Sequence, residues 1–143
     1  MAGITGGVGA DGLTVEWAFW STNTTAATAV RRALVTALRT LECDCDDVDA
    51  FELVYGELAS NAARHAEPRE VSVAFAWEGE TGRLAIASSG VPFDFEPRPV
   101  VPEQEHGRGH YIVAALSDEF SVAHAFGVNT VCVRMTIRKR RAL

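Results

Sequence analysis

Large apolar residues fall on every second position of Leu13-Thr14-Val15-Glu16-Trp17-Ala18-Phe19, the pattern of a half-buried strand. The Gly-rich stretch before it, Gly3 to Gly12, has no such alternation and is expected to be frayed. Ser21 to Thr25 offers side chains suited to a helix N-cap. Val30, Leu34, Leu38 and Leu41 then recur at helical spacing until a break at Glu42 to Asp46. A second helix is predicted from Asp46 or Asp47, with Val48, Phe51, Tyr55, Leu58 and Ala62 in one stripe and Pro68 as its limit. Period two returns at Val71, Val73 and Phe75, turns at Glu78 to Gly82, and runs back through Leu84 and Ile86 as an antiparallel partner.

From Gly90 to Gly109 the periodicity stops, and Gly90, Pro92, Pro97, Pro99 and Pro102 mark a long loop, expected to be mobile. A short helix is predicted from about His110 to Leu116. Two last strands carry Phe120 and Val122, then Val131, Val133, Met135 and Ile137, around a turn at Gly127-Val128-Asn129. Helices that cluster, with strands joined mainly by hairpins, imply an α+β fold: a two-layer α/β sandwich with a mixed, mostly antiparallel sheet and helices on one face. The expected division is a flexible leader at 1–12, one domain at 13–138 and a basic tail at 139–143.

Composition narrows this picture. The chain has 143 residues, 48% of them hydrophobic, enough for one domain with a real core. No stretch approaches the roughly 20 apolar residues of a membrane span, and Met1 to Asp11 lacks the pattern of a signal peptide, so a cytoplasmic protein without a membrane partner is expected. A formal charge of −6 argues against a nucleic-acid surface, and Arg138-Lys139-Arg140-Arg141 reads as a solvated end. Three cysteines leave an odd thiol in any pairing and too few ligands for zinc; they read as reduced, with Cys132 buried in a strand.

The candidate chemistry begins on the second predicted helix. Glu57, Asn61 and His65 are spaced by four and share an arc of roughly 80° beside the apolar stripe. A carboxylate can orient a nucleophile or take its proton, and an amide oxygen is a hard ligand suited to magnesium beside phosphate oxygens. Taken alone, the same spacing also describes a solvated helix side, and a terminal histidine can simply cap carbonyls. Further on, Glu105-His106-Gly107-Arg108-Gly109-His110-Tyr111-Ile112-Val113 runs two glycines into an apolar helix. Such a start can cradle phosphate with backbone N–H groups, or can serve as a plain hinge.

The string Glu57-Leu58-Ala59-Ser60-Asn61-Ala62-Ala63-Arg64-His65-Ala66 resembles the N-box of the GHKL (Bergerat-fold) ATPases, in the form found in bacterial anti-sigma factor serine/threonine protein kinases. The resemblance implies ATP and Mg2+ as cofactors, Glu57 as the catalytic base and Asn61 as the magnesium ligand. It places Arg64, His65, Ser88, Gly90, Gly107, Arg108, Gly109, His110 and Thr130 around the nucleotide. Gly107 to Val113 is similar to the family's GxGLxIV box, with His110 where leucine is usual. Leu84 to Asp94 is similar to its VxDxGxxFD segment: Gly90, Phe93 and Asp94 match, but Ser88 stands where an aspartate accepts a hydrogen bond from the adenine amino group. A neutral acceptor in place of a charged one forfeits on the order of 1–2 kcal/mol. Gly127 to Val131 resembles the closing turn and strand, whose threonine would lie near the base. The implied function is transcription regulation: transfer of the γ-phosphoryl group to a serine of an anti-sigma factor antagonist, and sequestration of a sigma factor, with a homodimer left open as its assembly. The alternative is a binding module of the same fold whose adenine pocket has decayed at Ser88.

Overall fold

The computed structural model describes residues 5–9, 12–64, 68–90 and 108–140, with side chains described from 12 onward and, in the last segment, from 112. Asn23 opens the first helix, α1 (Thr24–Thr40), its side-chain oxygen accepting from the Ala26 N–H at 3.0 Å. Asp44 does the same for α2 (Cys45–Ala63), accepting from the Asp47 N–H at 3.1 Å. Asp46 and Asp47 in the first turn of α2 complement the positive end of its dipole. Each helix buries one stripe: Val30, Leu34, Val35 and Leu38 on α1, and Val48, Phe51, Val54, Tyr55, Leu58 and Ala62 on α2. Gly56, Ala59 and Ala63 line a small cleft with Thr24, Ala27 and Thr28, so short side chains let α2 approach α1.

Against the helices lies a sheet that has six strands among the described residues: β1 (Thr5–Gly9), β2 (Gly12–Trp20), β3 (Glu70–Glu78), β4 (Thr81–Ser89), β5 (Glu119–Ala125) and β6 (Val128–Thr136). Their order is β1-β2-β3-β4-β6-β5. A third helix, α3 (Arg108–Leu116), packs on α2 and β5 and buries Val113 completely. The fold is thus the expected α+β sandwich with its helices on one face. Every ladder among the described residues is antiparallel, so the sheet is not mixed.

Strand alternation sorts the sheet into two faces. Leu13, Val15, Trp17 and Phe19 of β2, Val71, Val73, Phe75 and Trp77 of β3, and Leu84 and Ile86 of β4 are buried under the helices. Phe51 of α2 meets Phe75 with ring centroids 4.8 Å apart. The Trp77 indole donates to the Ile137 carbonyl at 2.8 Å, so its buried N–H is satisfied. Tyr55 donates its hydroxyl to the Ala27 carbonyl at 3.3 Å, and burial pushes its pKa up to about 12. The opposite face is open and built largely of short side chains, including Ala74, Ala76, Ala85 and Ala87.

Four expectations change. The leader contains β1, paired from Thr5↔Glu16 to Gly9↔Gly12, because an edge strand can be held by backbone bonds that need no side-chain pattern. The turn before β6 is Phe126-Gly127, both at positive φ (52° and 72°), the geometry that matches a two-residue hairpin to the strand twist. Cys132 is exposed rather than buried, since the residues of β6 that face the helices are Asn129, Val131, Val133 and Met135. The basic end is tied down through Arg140: Arg138 pairs with Asp47, Lys139 bridges Cys43, and the Arg140 N–H donates to the Glu42 carbonyl at 2.7 Å. Of the loop expected to be mobile from Gly90 to Gly109, residues 91–107 lie outside the described residues, and Arg108 and Gly109 already belong to α3.

Candidate functional site

The last two turns of α2 carry Glu57 and Asn61, both half-buried, on the flank opposite Gly56, Ala59 and Ala63. With α1 on the small-residue side, that flank is turned to the other helix packed on α2, which is α3. Neither side chain makes a hydrogen bond or ion pair with the described residues. The helix ends at Arg64, whose N–H bonds back to the Asn61 carbonyl at 3.3 Å; Arg64 itself is exposed. His65 and Gly107 lie outside the described residues. Arg108, Gly109 and His110 form the first turn of α3, so the glycine box does open a helix and its unpaired N–H groups are available to an anion.

Under α2, the end of β4 and the start of β6 lie side by side in the interior of the sheet. Ser88 is 2% exposed and faces the helices, level with Val71 of β3 and Asn129 of β6. Gly90 follows at φ +138°, a conformation open to glycine, and its N–H donates to the Gly127 carbonyl at 2.9 Å. This bond draws the tip of the β5–β6 hairpin onto the end of β4.

Thr130 does not join them. Alternation puts it on the open face, with Cys132 and Arg134, and turns Asn129 to the face that packs against the helices. The register set by the Phe126-Gly127 turn decides this. Asn129 is 1% exposed and its side-chain oxygen is bonded to His124 Nδ1. A second residue absent from the sequence reading is Arg69. It precedes β3, is only 8% exposed, and lays its guanidinium where a Gly90 side chain would stand: a Cβ there would lie 2.7 Å from Nη1. An asparagine in phase with Val131, Val133 and Met135 was a signal the sequence offered; the burial of Arg69 was not.

The arrangement can hold a hard cation and phosphate. Among the described residues there is no cluster of three histidine, cysteine or acidic groups, so a cation here would take the Asn61 amide oxygen and complete its shell with phosphate oxygens and water, as magnesium does. The unpaired Asn61 and Glu57 side chains, the side-chain-free Gly90 and the N-terminus of α3 fit that requirement. Two depressions, one of about 430 Å³ along Thr14, Ala74, Arg83 and Cys132, lie on the open face and reach none of these groups.

The fold and this grouping define a class. Residues 19–137 match the model of the histidine kinase-like ATPase domain, and the chain belongs to that family. Within it, the chain is similar to the serine-protein kinase RsbW of Bacillus cereus and of Bacillus thuringiensis, 23% identical over 109 residues, covering 66% of this chain and 68% of each relative. Its fold is also that of a crystal structure of the RsbU and RsbW domains of Rv1364c from Mycobacterium tuberculosis. That likeness has a TM-score of 0.56 at 20% identity, covering 87% of this chain and 34% of the larger one. No helix among the described residues is long and apolar enough to cross a membrane.

Proposed function

We propose that the chain binds a magnesium nucleoside triphosphate between α2, α3 and the β4 end, and transfers the γ-phosphoryl group to a serine hydroxyl of a partner protein. The observation that carries this reading is the flank of α2, where Glu57 and Asn61 stand together without partners among the described residues, beside a helix that begins in a glycine box. The nucleotide supplies the phosphoryl group and its electrophilic phosphorus. Asn61 would hold the cation, the N-terminus of α3 would take phosphate oxygens, and Glu57 would accept the serine proton as the serine oxygen bonds to the γ-phosphorus, the bond to the β,γ-bridging oxygen breaks and the nucleoside diphosphate leaves. Phosphoryl transfer asks for positioning and charge neutralisation more than covalent chemistry, so few side chains suffice. On the resemblance of its N-box to that of the anti-sigma factor serine kinases, the substrate we propose is an antagonist protein and the sequestered partner a sigma factor.

The second reading, a docking module without catalysis, is favoured by Ser88, which removes the carboxylate a base pocket of this family would present. The two separate on thermal unfolding with and without Mg-ATP and Mg-GTP. A ligand that binds only the folded chain raises its apparent stability, by about 2.7 kcal/mol at one hundred times Kd. A rise that requires magnesium supports the kinase reading; an unchanged midpoint with every nucleotide leaves the docking module.

A further inference from the structure

Beside the Ser88 end of β4 lies a group whose hydrogen bonds are unmet among the described residues. Continuing the Val71↔Ser88 register by two residues brings Arg69, just before β3, level with Gly90, just after β4, and Arg69 is buried as Val71 and Ser88 are. Its guanidinium lies over Gly90, with Nη1, Cζ and Nη2 at 2.7, 3.2 and 3.3 Å from where a Cβ would be. Nε and Nη1 are buried and have no hydrogen-bond partner among the described residues. Guanidinium is a donor only and stays charged at any ordinary pH, so a buried one with bare N–H groups is a site waiting for an acceptor oxygen. The neighbouring Glu70 is exposed, on the open face of the sheet, and is not that acceptor.

The Ser88 substitution then takes on a second meaning. A carboxylate at 88 would accept from an exocyclic amino group; the chain has instead a hydroxyl at 88 and a permanent donor at 69, so the pocket's polarity is reversed. An amino group presented to Arg69 meets donor against donor, whereas a carbonyl oxygen meets its complement. In the DNA major groove, arginine on the O6 and N7 atoms of guanine is the commonest specific contact to a base, and the same donor–acceptor match is available to a 6-oxopurine nucleotide. We infer that Arg69 is a specificity-determining residue that selects nucleotides with a 6-oxopurine base, of the guanine and hypoxanthine type, over adenine nucleotides. The inference rests on the nucleotide-binding reading of the same site.

Calorimetric titration of the full chain with Mg-ATP, Mg-GTP and Mg-ITP, repeated on Arg69→Met and Arg69→Lys, tests it. Arg69 is anchored through its main chain, its N–H on Ser21 Oγ at 3.0 Å and its carbonyl on the Ser21 N–H at 2.8 Å, so both variants keep those bonds. The wild type is expected to bind GTP and ITP about tenfold or more tightly than ATP, with ITP close to GTP because the 6-oxo group is what is read. Arg69→Met should bring the ratio to within about twofold, and Arg69→Lys should fall between. Equal or tighter binding of ATP by the wild type overturns the inference, as does ITP behaving like ATP. So does an Arg69→Met that weakens all three nucleotides alike, which would make the residue a support of the fold. Those results leave nucleotide binding standing. Failure of every protein to bind any of the three removes the nucleotide-binding reading itself. Should Arg69→Met not fold, the wild-type ratios and Arg69→Lys decide.

Discussion

The two ends of α2 are built on opposite principles. At its N-terminus nearly every polar group finds a partner within the chain. Asp44 caps the helix, its own N–H donates to the Arg138 carbonyl at 2.7 Å, and Asp47 accepts from the Arg138 N–H and Nε at 3.0 Å and from Nη2 at 3.2 Å. At the C-terminus Glu57 and Asn61 have no partner among the described residues, and Arg69 close by keeps two buried N–H groups unbonded. Buried polar groups in folded proteins are normally satisfied, so an end that leaves them unmet is the end a ligand completes. One end holds the chain together and the other is held ready.

Substitutions at the two ends should therefore separate activity from stability. Glu57→Ala is expected to lower phosphoryl transfer from labelled nucleotide by about 10²- to 10⁴-fold, the usual scale for a lost general base. Its binding should stay near that of the wild type. Asn61→Ala should bind nucleotide equally with and without magnesium. Transfer at the wild-type rate by Glu57→Ala would remove that carboxylate from the mechanism.

Next in size is Phe51→Ala, which empties the contact with Phe75 under the middle of α2. It should cost about 3–5 kcal/mol in denaturant unfolding, at both ends alike. Ser88→Asp comes third: an added carboxylate should raise ATP affinity roughly tenfold, about 1.4 kcal/mol, and lower the preference for oxopurines. No change in either would detach Ser88 from base recognition.

The smallest effect belongs to the satisfied end. Burial acts to raise the Asp47 pKa, but the hydrogen bonds and charge of Arg138 outweigh it and hold the carboxyl below its ordinary value. A depressed carboxylate contributes stability that is fully present above its unfolded pKa, roughly 4, and is lost as pH falls through the folded pKa. Asp47→Asn should cost about 1 kcal/mol near pH 7, and the difference from wild type should vanish at about pH 2. A difference independent of pH would assign the loss to packing rather than to the ion pair.

The same contrast explains what was legible beforehand. α1, α2 and the β3–β4 hairpin could be read because each repeats its period against a core, and helical spacing set Glu57 and Asn61 on one flank of α2, while their proposed roles come from the N-box resemblance. What depended on register could not. Thr130 was placed near the base by resemblance and Cys132 was read as a buried thiol, but both alternate with Val131, Val133 and Met135, which face the helices, and so lie on the other face of β6. β1 has no side-chain alternation to betray it. Arg69 looks like an ordinary surface charge until the β3–β4 ladder sets it opposite Gly90, the one residue there that leaves it room.

The central claim is that the open end of α2 is a magnesium-dependent nucleotide site, and the most direct measurement is titration of the wild type and Asn61→Ala with nucleoside triphosphate, with and without magnesium. The expected result is saturable binding of one nucleotide per chain that magnesium strengthens in the wild type and leaves unchanged in Asn61→Ala. Binding that magnesium strengthens equally in both proteins, or no binding by the wild type under either condition, would contradict the account.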